Sequence, residues 1–186
     1  MPERRPRRTD PDRRDRIIDA CLDVIVASGV SGTSHRRVAA AADVPLGSMT
    51  YHFAGLDELL REAFERFART ASDEFERRLG AAADADAARA AVVGMVSDAA
   101  GTRRDLVLTH ELYTLAAREP AFRGITTAWM ARSRRALERH FDPATARMLD
   151  ALIEGLAVHR ALDGTQGPSP YDAAMVADAV ARVTRA

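Results

Sequence analysis

The chain has no lysine, a single cysteine, one tryptophan and no net charge. All 27 basic residues are arginine and 27 acidic residues balance them, so no global field draws the protein toward polyanions or anionic membranes. Any contact with nucleic acid must therefore be local. The lone Cys21 excludes an internal disulfide and a clustered thiolate metal site, which fits a reducing compartment. No apolar run approaches the roughly 18 residues of a membrane span. The opening Met1-Pro2-Glu3-Arg4-Arg5 is too polar for a signal peptide, so the expected address is the cytoplasm, with no membrane partner.

Enzyme signatures are scarce as well. His35, His52, His110, His140 and His159 are scattered, and His110-Glu111 opens like a zinc-protease helix but has Thr114 where the second imidazole belongs. No glycine-rich phosphate loop is present, and Cys21 lies on an apolar helical stripe, where packing is its natural role. Neither a catalytic site, a metal site nor a cofactor is expected.

What is present is helical periodicity. With 186 residues, 47% apolar and 29% charged, the chain can bury a core as one substantial domain or two small ones. Residues 1–9 hold four Arg and two Pro without an apolar period and read as a disordered basic arm. Asp10-Pro11 suits a helix start, and Ile17, Ile18, Cys21, Leu22 and Ile25 recur at helical spacing until Gly29. Thr33 or Ser34 opens a short helix with Val38, Ala39 and Ala42 on one face; a second short helix follows from Leu46 to His52. A long helix then begins near Asp57. Further segments run from about Ala85 to Ala100, from Arg103 to Arg118, along the face Phe122 to Phe141, from Pro143 to about Leu162, and onward from Ser169-Pro170-Tyr171-Asp172. About nine helices and no strand make the fold class all-α.

Residues 33–53 carry the functional signal. Two helices this short cannot stand alone, so their neighbours must clamp them. Ala39 and Ala42 allow close approach, Val38, Val44, Met49 and Phe53 supply a joint core, and Asp43 suits a left-handed corner. Leu46, Ser48, Thr50, Tyr51 and His52 are then left outside, on a surface that fits a DNA major groove about 12 Å wide.

Thr33, Ala39, Ala42, Val44, Gly47, Met49, Phe53, Leu59 and Leu60 fall on a pattern that resembles the helix-turn-helix of TetR-family transcriptional regulators, specifically over about residues 12–65. The resemblance implies a three-helix DNA-binding unit over 10–54 and a helical ligand-binding and dimerisation domain over 55–186. It also implies a homodimer, a double-stranded DNA operator and an unknown small-molecule effector. The expected DNA-contacting residues are Thr33, Ser34, Arg36, Arg37, Leu46, Gly47, Ser48, Thr50, Tyr51 and His52. Two positions depart from the family: Thr50 stands where Tyr is usual, and Leu56 where Lys is common. Loss of that Lys removes a phosphate anchor unless Arg36, Arg37, Arg61 or the arm substitutes. Up to residue 16 the arm carries a formal +3, from seven Arg against Glu3, Asp10, Asp12 and Asp15, and such arms often enter the minor groove.

In the body, Thr109, His110 and Tyr113 lie within an apolar wall that includes Leu106, Val107, Leu108, Leu112 and Leu115. With Phe64, Phe67, Trp129 and Met130 they are the expected lining of an effector pocket. Leu149, Leu152, Ile153 and Leu156 of one late helix and Val176 and Val180 of the last are expected to pair across a dimer as a four-helix bundle. The leading function is a repressor released from its operator by a small molecule. The alternative is an all-α ligand-binding or scaffold protein that has lost DNA affinity, a role that Thr50, Leu56 and the neutral charge would permit.

Overall fold

The computed structural model describes residues 12–99, 103–163 and 169–185. Nine α-helices and no strand occur among the described residues: α1 (Arg13–Ser28), α2 (His35–Ala41), α3 (Gly47–His52), α4 (Leu56–Gly80), α5 (Ala85–Ala99), α6 (Arg103–Arg118), α7 (Pro120–Leu137), α8 (Pro143–Leu162) and α9 (Ala173–Val183). None of them is long and apolar enough to cross a membrane. The basic arm and the Asp10-Pro11 helix start lie outside the described residues. The chain forms two compact units that meet in sequence between Ala63 and Phe64, inside α4.

In the first unit, Ile17, Ile18, Cys21, Leu22 and Ile25 of α1 are all buried, as their spacing predicts. Gly29 ends the helix at φ 69°, with its N–H donating to the Ile25 carbonyl. Burial pushes the Cys21 thiol up to about 12, which keeps it protonated and inert. Ser34 opens α2 by accepting the Arg37 backbone N–H at 3.4 Å. The chain then turns at Asp43, whose φ of 51° is the one positive value at a non-glycine position among the described residues. The Val44 N–H donates to the Ala39 carbonyl at 3.0 Å across that corner. At the start of α4 the Glu58 carboxylate accepts the Ala54 N–H, which satisfies a donor just ahead of the helix.

The second unit packs the rest of α4 with α5–α9. Leu79, Val92, Val96, Leu137, Leu149, Val176 and Val180 are at most 1% exposed and form its centre. The Asp142-Pro143 start read from the sequence is present: Pro143 begins α8 after Asp142, whose carboxylate accepts the Ala144 and Thr145 N–H groups. Pro120 also begins α7. The start expected at Ser169-Pro170 is corrected, since α9 begins at Ala173 and is capped by Asp172 through the Met175 N–H. Arg132 of α7 forks onto Glu76 at 2.8 Å and Asp73 at 2.7 Å, tying α7 to α4.

The expected dimer face is corrected here. Leu149, Leu156, Val176 and Val180 are buried inside their own subunit, and Leu152 and Ile153 are partly buried against the same cluster. One subunit has enough apolar surface on α5 to cover these residues, which the helix-by-helix pattern could not reveal. Exposed on α8 instead are Met148, Ala151 and Leu162, with Gly155 on the same side, and on α9 Ala173 and Ala177.

Gly32 is the tightest point of the first unit, since a Cβ there would lie 2.4 Å from the Ser28 carbonyl oxygen. The Gly32→Ala protein is expected to lose about 2 kcal/mol of stability through this backbone clash, measured as a lower denaturation midpoint at unchanged slope.

Candidate nucleic-acid interface and ligand cavity

α2 and α3 have seven and six residues, too few to persist without tertiary support. Support comes from one side only. Met49 of α3 and Phe53, the residue that caps its C-terminus, are 0% and 2% exposed and belong to a buried set that also holds Val38, Ala39, Leu59 and Leu60. The Arg14 guanidinium lies 5.2 Å from the centre of the Phe53 ring and pairs with Glu62, so α1 and α4 brace the end of α3.

With the inner face committed, the outer face is exposed: Tyr51 is 84% and Leu46 54% accessible. Gly47 and Thr50 are also exposed, while Ser48 and His52 are half-buried beside them. The Tyr51 and His52 rings meet edge to face at 4.9 Å, which holds two polar-tipped aromatics on one short helix. Arg36 is exposed on α2, and Arg37 donates to the Gly32 carbonyl at 2.7 Å, leaving further guanidinium N–H groups outward. Two expected contacts take other roles. Thr33 is 6% exposed and its hydroxyl donates to the Gly29 carbonyl, so it locks the turn into α2 and does not face outward. Ser34 spends its oxygen on the helix cap.

The second unit holds a half-open cavity of about 400 Å³. Phe67, Thr109, His110, Tyr113, Trp129 and Met130, all expected there, line it together. Phe64 does not. It is fully buried with its ring against Phe122 at 6.1 Å, because it lies one helical turn short of the cavity on α4. The apolar wall expected on α6 is core only in part: Leu108, Leu112 and Ala116 are buried, while Leu106, Thr109, His110 and Tyr113 border the void.

The walls are aromatic and acidic. Phe67 packs edge to face on Trp129 at 5.5 Å, and Tyr113 lies tilted against the same indole at 6.3 Å. Sequence reasoning missed Glu74, Asp105, Asp150 and Glu154, which border the cavity along with Thr70, Phe75 and Ile153. A signal was available: Asp150 and Glu154 are four apart on α8, interleaved with the apolar Leu149, Ile153 and Ala157. The Tyr113 hydroxyl donates to Glu154 at 2.8 Å, and burial beside that carboxylate pushes the phenol well above its ordinary value, so it stays a donor. Burial likewise pushes Asp150 from 3.8 up to about 6, with Arg134 3.9 Å away as a weak opposing influence.

The comparisons with known proteins agree with this geometry. Residues 83–186 match the family model described as Tetracyclin repressor-like, C-terminal domain, and residues 17–63 match Bacterial regulatory proteins, tetR family. The transcriptional regulator BetI of Burkholderia thailandensis is 32% identical over 173 residues, covering 88% of each chain. Among solved structures, the regulator SCO7518 from Streptomyces coelicolor A3(2) is 55% identical with a TM-score of 0.86, over 95% of this chain and all of that one. The multidrug binding protein EbrR, in its complex with ethidium, is 36% identical with a TM-score of 0.75, over 92% of this chain and 98% of that one. The helix-turn-helix followed by a cavity-bearing helical domain defines a ligand-binding, DNA-binding regulator, and the chain belongs to the TetR family of bacterial transcriptional regulators.

The elevated Asp150 gives a stability prediction. Between pH 3.8 and about 6 the folded state holds a proton that the unfolded chain has lost, so stability falls as pH rises through that window. The penalty is complete above it. Asp150→Asn is therefore expected to stabilise the protein at pH 7.5, by on the order of 2 kcal/mol, with the gain vanishing below about pH 4 in thermal melts.

Proposed function

We propose that the protein is a repressor that binds a pseudo-palindromic operator as a homodimer and leaves it when a small molecule fills the cavity. The observation that carries this reading is the division of labour on α3, with Met49 and Phe53 sealed inward and Leu46 and Tyr51 presented outward. In the proposed complex α3 lies in the major groove. Leu46 meets thymine methyls, Ser48, Thr50, Tyr51 and His52 reach bases or phosphates, and Gly47, Arg36 and Arg37 lie along the backbone. Thr50 and Leu56 leave the backbone contacts to hydroxyls and arginines.

The dimer is proposed to form through the outer stripe of α8 and α9. Met148, Ala151 and Gly155 recur at three- and four-residue steps, Leu162 follows two turns on, and a Cβ on Gly155 would meet nothing within 4 Å. Such a stripe, centred on a glycine with open space in front of it, suits close approach of a second helix. A two-fold pair would carry its reading helices about 34 Å apart, one turn of DNA.

Coupling is proposed to run through α4, one continuous helix. Its first turns give Leu59, Leu60 and Ala63 to the core that holds α3, and its later turns give Phe67, Thr70 and Glu74 to the cavity wall. EbrR, which is similar along nearly its whole length, has been solved with several small organic molecules, and this supports a small-molecule effector. The effector releases DNA only if it favours a conformation that DNA does not, since equal affinity for both shifts nothing.

Binding to DNA from the protein's own upstream region, followed by mobility shift, is expected to weaken steeply with salt. Tyr51→Ala with His52→Ala is expected to abolish the shift while sedimentation still shows a dimer. A double variant that binds as well as the parent would overturn the assignment of α3.

A further inference from the structure

The cavity's charge is out of step with the chain around it. Arginines equal acids over the sequence, 27 to 27, yet the lining includes four carboxylates and no arginine. Two of the four are peripheral. Glu74 is half exposed and already bound by Arg77 and Arg78 at 2.6–2.8 Å, and Asp105 is exposed in the first turn of α6. The other two are Asp150 and Glu154, one turn apart on α8, with 20% of the Asp150 side chain accessible. Like charges at this spacing oppose helix stability, and low local dielectric worsens the repulsion. Tyr113 relieves Glu154 by one hydrogen bond, while Arg134 stands 3.9 Å from Asp150. The same cavity is lined by the rings of Phe67, Tyr113 and Trp129, which pack on one another, and aromatic rings attract cations and accept flat apolar bodies. The carboxylates are not gathered as a metal cage: no cluster of three or more ligating side chains exists among the described residues.

We propose that this cavity selects an organic cation with a flat apolar body, a quaternary or protonated aromatic amine, whose charge is met by Asp150 and Glu154 and whose rings pack against Phe67, Tyr113 and Trp129. The inference rests on the reading of the cavity as the effector site and adds the chemical class of the effector. Anions are excluded by the same two carboxylates. A neutral molecule of equal shape gains the aromatic contacts but leaves the like-charge pair uncompensated. Binding is also pH-dependent. Asp150, pushed up to about 6, is neutral at lower pH and cannot serve as counter-ion there, so affinity for a permanent cation rises as pH climbs through that value and a proton is released on binding. The groups that face Asp150 and the void are Arg134 of α7, Glu154 of α8, Tyr113, His110 and Asp105 of α6, and Glu74 of α4. His110 is retained in Asp150→Asn, so any pH slope surviving in that variant belongs to the other groups.

The test is calorimetric titration of the full chain with N-methylisoquinolinium, its neutral isostere 2-methylnaphthalene and the anion 2-naphthoate. At pH 7.5 the cation is expected to bind at least about tenfold tighter than either of the others. Asp150→Asn and Glu154→Gln should each lower cation affinity by about tenfold and leave 2-methylnaphthalene unchanged. Thermal melts confirm that the variants fold. Cation affinity should fall several-fold between pH 7.5 and 5 in the parent, and less in Asp150→Asn. Failure of N-methylisoquinolinium to bind at about 1 mM, equal or tighter binding of the neutral or anionic probe, or a cation preference untouched by both substitutions would overturn the proposal. DNA release is scored separately. A cation that binds selectively but leaves the operator complex intact refutes effector-driven release and leaves the cavity's cation selectivity standing, whereas release by 2-methylnaphthalene alone does the reverse.

Discussion

A six-residue helix has too few internal hydrogen bonds to hold its own shape, and the surface proposed to face DNA is built on one. Everything about that surface depends on what happens behind it. Met49 and Phe53 are taken into a core made by α1, α2 and the first turns of α4, and Arg14 closes over the Phe53 ring while pairing with Glu62. Once those two side chains are fixed, the rotation of α3 is fixed, and Leu46 and Tyr51 have nowhere to go but out. Four large apolar side chains are strongly exposed among the described residues: these two, and Met148 and Leu162 on the outer side of α8. They form two patches, one suited to a nucleic-acid duplex and one to a second subunit.

The ligand-binding domain shows the opposite economy. Its cavity is surrounded by apolar side chains that could have closed into a solid core, and it keeps a pair of like charges that cost the fold stability. A void and a desolvated carboxylate both weaken a protein, by lost packing and by lost hydration respectively. Holding both in one place is reasonable when a bound molecule makes good each deficit at once. Such a molecule then draws its binding energy from strain that the empty protein carries, which is a direct route by which occupancy can alter the balance between conformations.

Much of the architecture was legible in the residues because local chemistry dictated it. The Asp-Pro step at Asp142-Pro143 and the cap at Asp172 start helices through contacts with their own first turns. Asp43 adopts the left-handed corner that its place between two short helices predicts. The cavity walls on α6 and α7 were readable because Thr109, His110, Tyr113 and Trp129 interrupt an otherwise apolar surface. Phe64 was misplaced for want of three residues: periodicity puts Phe64 and Phe67 on the same broad face of α4, and only the positions of Phe122 and Trp129 separate a core contact from a cavity wall. The carboxylates of α8 were overlooked because charged residues on a helix are solvated far more often than enclosed.

Sequence alone determined the helices, their ends and the family pattern across α2 and α3, since these follow from hydrogen bonds and side-chain spacing within a few residues of chain. Tertiary structure decided which side of each late helix meets its own subunit. Leu149, Leu156, Val176 and Val180 look like an interface on their isolated helices and are core in the folded chain, while the weaker stripe through Gly155 is left outside. An apolar stripe states that it must be covered and does not say by what; the partner is set by the docking of helices distant in sequence, information that no local pattern carries.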